Sequence, residues 1–225
     1  MNMQTEEKNI FGGKWSLSYT LYMERLNELL RDCTREEYLS EVLMPFFRMC
    51  CPENTKIIPV FDDRKSGPKV ENDTEFKKRM ETICALKDDN TYTVPDYIFV
   101  SNEYTVSNPI KPIIMVETKM PQILRDGNFY RPLQDTVKNN LGELLAEINS
   151  CGAIIYTDGI TWMFLCLNEN GEIVELDGYE TICLVDINFE KKYYSTYEIK
   201  LLIENKKWED LIFAIKRLVK SKQYK

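Results

Sequence analysis

The chain has 225 residues, 44% apolar and 29% charged, with a formal net charge of −7 and no histidine. That suffices for one domain with a sizeable core, and no apolar run approaches the ~18 residues of a membrane span. Without histidine, a His-based triad, a histidine general base and a His-ligated zinc site are all excluded. Catalysis would have to use carboxylates, Lys, Cys, Tyr or a metal bound through oxygen, and hard oxygen ligands favour magnesium or manganese.

In chain order, Tyr19 to Asp32 reads as a helix, with Tyr22, Leu26, Leu29 and Leu30 at helical spacing. Thr34 and Glu37 form a capping-box pattern before a second helix that buries Leu39, Val42, Leu43, Phe46 and Cys50. Ile57 to Phe61 reads as a first strand, Asp62 to Asp73 as a loop, and Thr74 to Ala85 as an amphipathic helix through Phe76, Met80 and Ile83. Val94 to Val100 and Ile113 to Lys119 read as strands joined by a hairpin connection, Ser101 to Pro109, with Pro121 ending the second. Arg125 to Asn128 is a loop. Leu133 to Asn149 reads as one helix with Leu133, Val137, Leu141, Leu144, Leu145 and Ile148 along one face, terminated near Gly152. Ala153 to Thr157 and Trp162 to Leu167 are strands around the Asp158-Gly159 turn. Short strands over Ile173 to Leu176 and Thr181 to Val185 follow, and Tyr197 to Lys220 reads as one or two terminal helices. Trp208, Leu211, Ile212, Ile215 and Leu218 give the terminal helix an apolar face suited to the core or to dimerisation.

This order predicts an α/β fold, a central mixed β-sheet flanked by helices. Residues 1–225 are read as a single domain, with a core at about 34–167 and 168–225 of unassigned role. The seven irregularly spaced cysteines read as buried reduced thiols. The stretch MNMQTEEKNIF lacks the basic-then-apolar pattern of a secretion signal. A cytoplasmic protein without membrane contact is therefore expected.

Asp96 follows Pro95 and opens one apolar run, and Glu117 and Lys119 close the next. Side chains two apart on a strand share a face, so Glu117 and Lys119 are expected to look into one site while Thr118 looks away. Phosphodiester hydrolysis needs activated water and neutralised phosphoryl oxygens, which magnesium supplies when carboxylates and a main-chain carbonyl hold it. Asp96 and Glu117 would be ligands, the Thr118 carbonyl a third, and Lys119 would orient the water or offset developing charge. The plainer alternative is that Asp96 caps a strand while Glu117 and Lys119 form a surface ion pair.

Pro95-Asp96 followed by Glu117-Thr118-Lys119 resembles the PD-(D/E)xK nuclease superfamily. The run Thr157-Asp158-Gly159-Ile160-Thr161-Trp162 is similar to the strand–turn–strand of the N-terminal nuclease domains of type I restriction subunits and their stand-alone relatives. The resemblance covers roughly Thr34 to Leu167. It implies a restriction-endonuclease-like fold and a Mg2+ (or Mn2+) dependent endonuclease acting on nucleic acid, DNA by analogy. It also implies a glutamate from the first core helix at the metal, for which Glu36 is preferred over Glu37 and Glu41. Gln134 would be a further site residue on the helix after the Glu-x-Lys strand. Asp158 is read as a turn residue and Trp162 as core. Arg125, Arg131 and Lys111 are read as solvent-exposed rather than phosphate-binding. The net charge of −7 counts against a strong grip on nucleic acid by one copy. A homodimer or a partner subunit supplying the DNA contacts would reconcile charge and site, and a non-catalytic nucleic-acid-binding or assembly module on the same fold is the alternative.

Overall fold

The computed structural model describes residues 17–32, 38–60, 74–87, 91–124, 129–131, 133–186, 200–201 and 206–223. In chain order, α1 is Tyr19–Asp32, α2 Leu39–Cys50, β1 Thr55–Pro59, α3 Thr74–Ile83, β2 Ala85–Leu86, β3 Tyr92–Thr93, β4 Tyr97–Ser101 and β5 Ile114–Thr118. After a small hairpin of β6 (Gln122–Leu124) and β7 (Phe129–Arg131) comes a 3₁₀ segment, Leu133–Asn140, that runs into α4, Leu141–Cys151. The chain continues through β8 (Ile154–Thr157), β9 (Thr161–Leu167), β10 (Ile173–Glu175), β11 (Ile182–Cys183), β12 (Val185–Asp186), β13 (Lys200–Leu201) and α5 (Lys206–Gln223).

The expected α/β architecture is present. A seven-stranded sheet runs in the order β1-β4-β5-β8-β9-β10, with β11 also paired to β9. It is mixed, because β5 and β8 are parallel whereas β1–β4, β4–β5 and β8–β9 are antiparallel. The parallel pair needs a crossover, and the 3₁₀ segment with α4 supplies it.

The period-two alternation of the strands sorts the core into two layers. Tyr97, Phe99, Ile114, Val116, Ile155, Trp162 and Phe164 face α1, α2 and α5. Ile98, Val100, Met115, Ile154, Tyr156, Met163 and Leu165 face α3, the 3₁₀ segment and α4. On the first side an aromatic cluster forms around Phe46, whose ring centroid is 4.8 Å from that of Trp208 and 5.0 Å from that of Trp162. The apolar face of α5 therefore belongs to the core, through Trp208, Leu211, Ile215 and Leu218.

Helix α1 matches its predicted span, and Tyr22, Leu26 and Leu29 are buried as expected. Its Tyr22 hydroxyl donates to the Gly159 carbonyl at 2.7 Å, which ties α1 to the β8–β9 turn. In that turn Asp158 is buried, and its Oδ1 accepts the amides of Ile160 (3.0 Å) and Thr161 (2.7 Å). Asp158 is thus a turn residue, and Trp162 is fully buried in the core.

The structure corrects several boundaries. The first strand is Thr55–Pro59, two residues earlier than expected, and α3 ends at Ile83 because Ala85 enters β2. Lys200 and Leu201, expected in a terminal helix, pair with β12, so that helix begins only at Lys206. The expected 133–149 helix is two structures, and Leu141 is 46% exposed instead of lying on the buried stripe. A 3₁₀ turn has 3.0 residues and an α-turn 3.6, so over eight residues the 133–140 segment drifts from α-phase by roughly 160°; Leu141, the first residue of α4, shares the phase of Leu144 and Ile148 and is exposed at the start of the helix. Thr34, Glu36, Glu37 and the 62–73 and 125–128 loops lie outside the described residues. The described cysteines are free thiols, Cys50 and Cys84 buried and the others half-buried.

Gly159 has φ +84°, and a Cβ there would stand 3.3 Å from the Tyr22 hydroxyl. Gly159→Ala is expected to lower the thermal midpoint by an amount equivalent to about 1–3 kcal/mol, combining left-handed strain with a displaced Tyr22. Asp158→Asn, which keeps the Oδ1 acceptor, is expected to lose less than Asp158→Ala. Thermal denaturation of the three variants checks both expectations.

Candidate active site

The strand register builds the site. Tyr97 pairs with Val116 and Ile98 with Met115. One step beyond the last ladder pair, Asp96 falls opposite Glu117. Residues directly opposite on antiparallel strands share a face, and the alternation assigns that face to the α4 side. Two carboxylates opposed in this way repel unless something compensates them.

Part of the compensation is Thr118. Its amide and its hydroxyl both donate to Asp96 Oδ2, at 2.7 and 2.6 Å. Thr118 therefore does not simply look away, as its strand parity predicts; its hydroxyl reaches past the end of the ladder to fix the Asp96 carboxylate. The other part is Lys119. Its Nζ donates to Glu117 Oε1 at 2.5 Å and lies 4.0 Å from Glu143 Oε2. The Lys119 amide donates to the Thr157 carbonyl of β8 at 2.9 Å, so its backbone stays in the sheet although β5 formally ends at Thr118.

Helix α4 adds two acids that the sequence reading passed over. Glu143 is partly exposed and also pairs with Lys87, 3.5 Å away. Glu147 is fully buried, and its Oε1 accepts the Thr93 hydroxyl at 3.3 Å. Its Oε2 is buried without a hydrogen-bond partner. The signal for Glu147 lay in the sequence itself, a charged residue one helical turn after Leu144 and beside Ile148, both on the expected apolar stripe.

The electrostatics follow from burial. Desolvation, reinforced by the charges of Asp96 and Glu147, pushes the Glu117 carboxyl well above the usual range. Burial and the Asp96 charge push Glu147 up to about 8. Asp96 is also raised by burial, opposed by the two Thr118 hydrogen bonds and the Lys119 charge. Tyr156, opposite Glu117 in the β5–β8 register, is buried, and its hydroxyl is held by Thr136 (2.6 Å) and by the Asn140 amide (3.1 Å). It anchors the 3₁₀ segment beside the carboxylates.

Asp96, Glu117, Thr118 and Lys119 are thus brought together. Gln134 is not: it is exposed on the 3₁₀ segment and bonds to none of them. Of the crossover residues, Glu143 approaches Lys119, whereas Glu147 bonds to Thr93 and acts on Glu117 through its charge. Glu36 lies outside the described residues, as do Arg125 and the side chain of Arg131; Lys111 and Glu41 are exposed. Among the described residues no three acidic or sulfur side chains converge tightly enough, as placed, to wrap a metal ion. The Lys119 ammonium stands against Glu117, one of the carboxylates such an ion would need. The donor set itself, carboxylate and carbonyl oxygens, has the hardness that magnesium and manganese require.

No family model and no curated protein matches the chain. Among solved structures, the chain is similar to the DrdV–DNA complex determined by cryo-EM, with a TM-score of 0.37 and 13% identity over 68% of this chain and 11% of that one. Among the described residues no helix is long and apolar enough to cross a membrane.

The raised Glu147 carboxyl has a pH signature. Between its unfolded value, near 4.5, and about 8, the folded state holds a proton that the unfolded chain releases. Stability is therefore expected to fall as pH rises through that window, by up to about 1.4 kcal/mol per pH unit. Glu147→Gln should flatten the curve. Urea denaturation from pH 5 to 8 with chelator present measures it, and parallel wild-type and variant curves would show that Glu147 does not titrate this way.

Proposed function

We propose that this protein is a divalent-metal-dependent nuclease that hydrolyses phosphodiester bonds, a DNA endonuclease of restriction or defence type. The observation that carries the reading is the meeting of Asp96, Glu117 and Lys119 at the ends of adjacent strands, with Thr118 clamping Asp96. This is the residue pattern that resembles the PD-(D/E)xK superfamily. A buried cluster with more carboxylates than ammonium groups is poised to accept a cation.

Asp96, Glu117 and the Thr118 carbonyl would hold magnesium or manganese, which when bound activates water and neutralises charge on phosphoryl oxygens. The protein's own part is positional. Thr118 fixes one Asp96 oxygen and leaves Oδ1 for other work. Lys119 is partly solvent-exposed, where an ammonium can orient the attacking water and offset charge developing on the phosphate. Were Glu117 to turn to a cation, Glu143, 4.0 Å from the Lys119 ammonium, would be the carboxylate that keeps the lysine at the site. In the hydrolysis, water adds to phosphorus, the bond to one ester oxygen breaks, and the departing hydroxyl takes a proton.

With a net charge of −7, the backbone grip on DNA is assigned to a second copy of the chain or to a partner subunit. The same charge favours one alternative, a non-catalytic binding or assembly module on this fold. Cleavage of supercoiled plasmid, linear duplex and single-stranded RNA with magnesium or manganese separates the two. Cutting of DNA that disappears with chelator and drops by about 10²-fold or more in Lys119→Ala is the expected result. No cutting of any substrate, together with no metal-dependent thermal shift, would replace the nuclease with the binding module.

A further inference from the structure

We propose that Lys87 and Lys119 form a two-ammonium clamp for a backbone phosphate of the nucleic-acid substrate, and that Glu143 occupies the clamp until the phosphate arrives. This rests on the nuclease reading above and adds to it a residue, Lys87, from outside the Asp and Glu-x-Lys strands.

The distances define the clamp. Lys87 Nζ lies 3.5 Å from Glu143 Oε1, and Lys119 Nζ lies 4.0 Å from Glu143 Oε2. One carboxylate thus bridges two ammonium groups, one at each oxygen. A phosphodiester presents the same feature, two oxygens on one central atom that share a negative charge. An ammonium is a compact point charge that binds phosphate well. The place Glu143 holds between the two lysines is one a phosphate can take.

The fold brings the three residues together from separate elements. Lys119 follows β5, and Glu143 stands in the first turn of α4. Lys87 follows β2, and its amide donates to the Thr91 carbonyl at 2.7 Å, which extends the β2–β3 hairpin. That hairpin is fastened to α4: Thr93 of β3 donates to Glu147 at 3.3 Å, and Ala85 of β2 shares a core layer with Leu144 and Ile148. Lys87 is therefore carried to the rim of the site by a fixed backbone.

Exposure sets the order of encounter. It is 7% for the Glu117 side chain, 21% for Lys119, 27% for Lys87 and 38% for Glu143. A phosphate coming from solvent meets Glu143 and the two lysines before it meets the buried acids. Exposed ion pairs add little to stability, so releasing Glu143 into water costs the fold little. Lys119 already donates to Glu117, whereas among the described residues Lys87 has Glu143 as its only ion-pair partner. Lys87 is thus the ammonium that adds charge to offset Asp96 and Glu117 as the phosphate approaches.

Fluorescence anisotropy of a labelled duplex oligonucleotide, titrated with the full chain in chelator over a range of salt, reads the clamp without turnover. Wild type is compared with Lys87→Gln and Glu143→Gln. Lys220→Gln and Glu209→Gln make the same changes in net charge at exposed positions of α5, on the opposite side of the sheet. Lys87→Gln is expected to bind at least about threefold more weakly than Lys220→Gln and to lower the salt slope by about one. Glu143→Gln, which vacates the clamp, is expected to bind at least about threefold more tightly than Glu209→Gln. Lys87→Gln binding like Lys220→Gln would overturn the inference. So would weaker binding by Glu143→Gln, because Glu143 would then hold the lysines in place instead of standing in for the phosphate. No binding by wild type at low salt overturns it as well, and the cleavage assay above decides the nuclease reading separately. Thermal midpoints establish that each variant folds, and Lys87→Met and Glu143→Ala replace any that does not.

Discussion

Two hydrogen bonds from Thr118 to one oxygen of Asp96 join β4 to β5 where their ladder has already ended. The position of Asp96 beside Glu117 depends on this clamp. It holds a carboxylate beside Glu117 that electrostatics would drive away, and it does so with donors drawn from the residue between Glu117 and Lys119. The three residues Glu117, Thr118 and Lys119 thus divide the labour: the first supplies charge, the second fixes the opposing acid, and the third compensates. Because one of the two donors is a main-chain amide of the central sheet, the geometry is as rigid as the sheet itself.

The rest of the fold is arranged to keep that strand end dry on one side and accessible on the other. Strand β5 lies between β4 and β8, buried on both faces, so its last residues are well placed by packing alone. The aromatic cluster of Phe46, Trp162 and Trp208 seals the far face, and α1 is fastened to the β8–β9 turn through Tyr22. On the near face α4 lies across the sheet, and exposure rises from Glu147 through Glu117 to Lys119 and Glu143. Buried acids at the bottom and an ion-paired lysine at the rim give the site a direction of approach.

Much of this was legible in the sequence. Periodicity located α1 and the core face of α2, alternation located β4 and β5, and the two-residue spacing of Glu117 and Lys119 already implied a shared site. The Asp158-Gly159 turn and the buried Trp162 followed from turn chemistry and an apolar run. What escaped was the crossover. Apolar spacing from Leu133 to Ile148 fits a continuous α-helix well, and nothing local announces that the first half winds more tightly. That error concealed the break before Leu141, and Glu143 and Glu147, on the α-helical half, were passed over. The hydroxyl of Thr118 escaped for a different reason: strand parity holds within a ladder, and Asp96 lies one step outside it. The pairing of Lys200 and Leu201 with β12 joins distant residues, which local pattern does not encode.

The tightly wound segment before α4 has a consequence of its own. It works as a clocking mechanism, setting the angle at which the helix presents its side chains before the helix begins. Tyr156 pins one end through Thr136 and Asn140, and Gly152 stops the other, so the angle is locked between two fixed points. An insertion or deletion of one residue there would turn the helix by roughly 100–120°, carrying Glu147 off the sheet and an apolar neighbour into its place. Length in this stretch is therefore constrained in the way a gear tooth is, even though Gln134 itself is exposed.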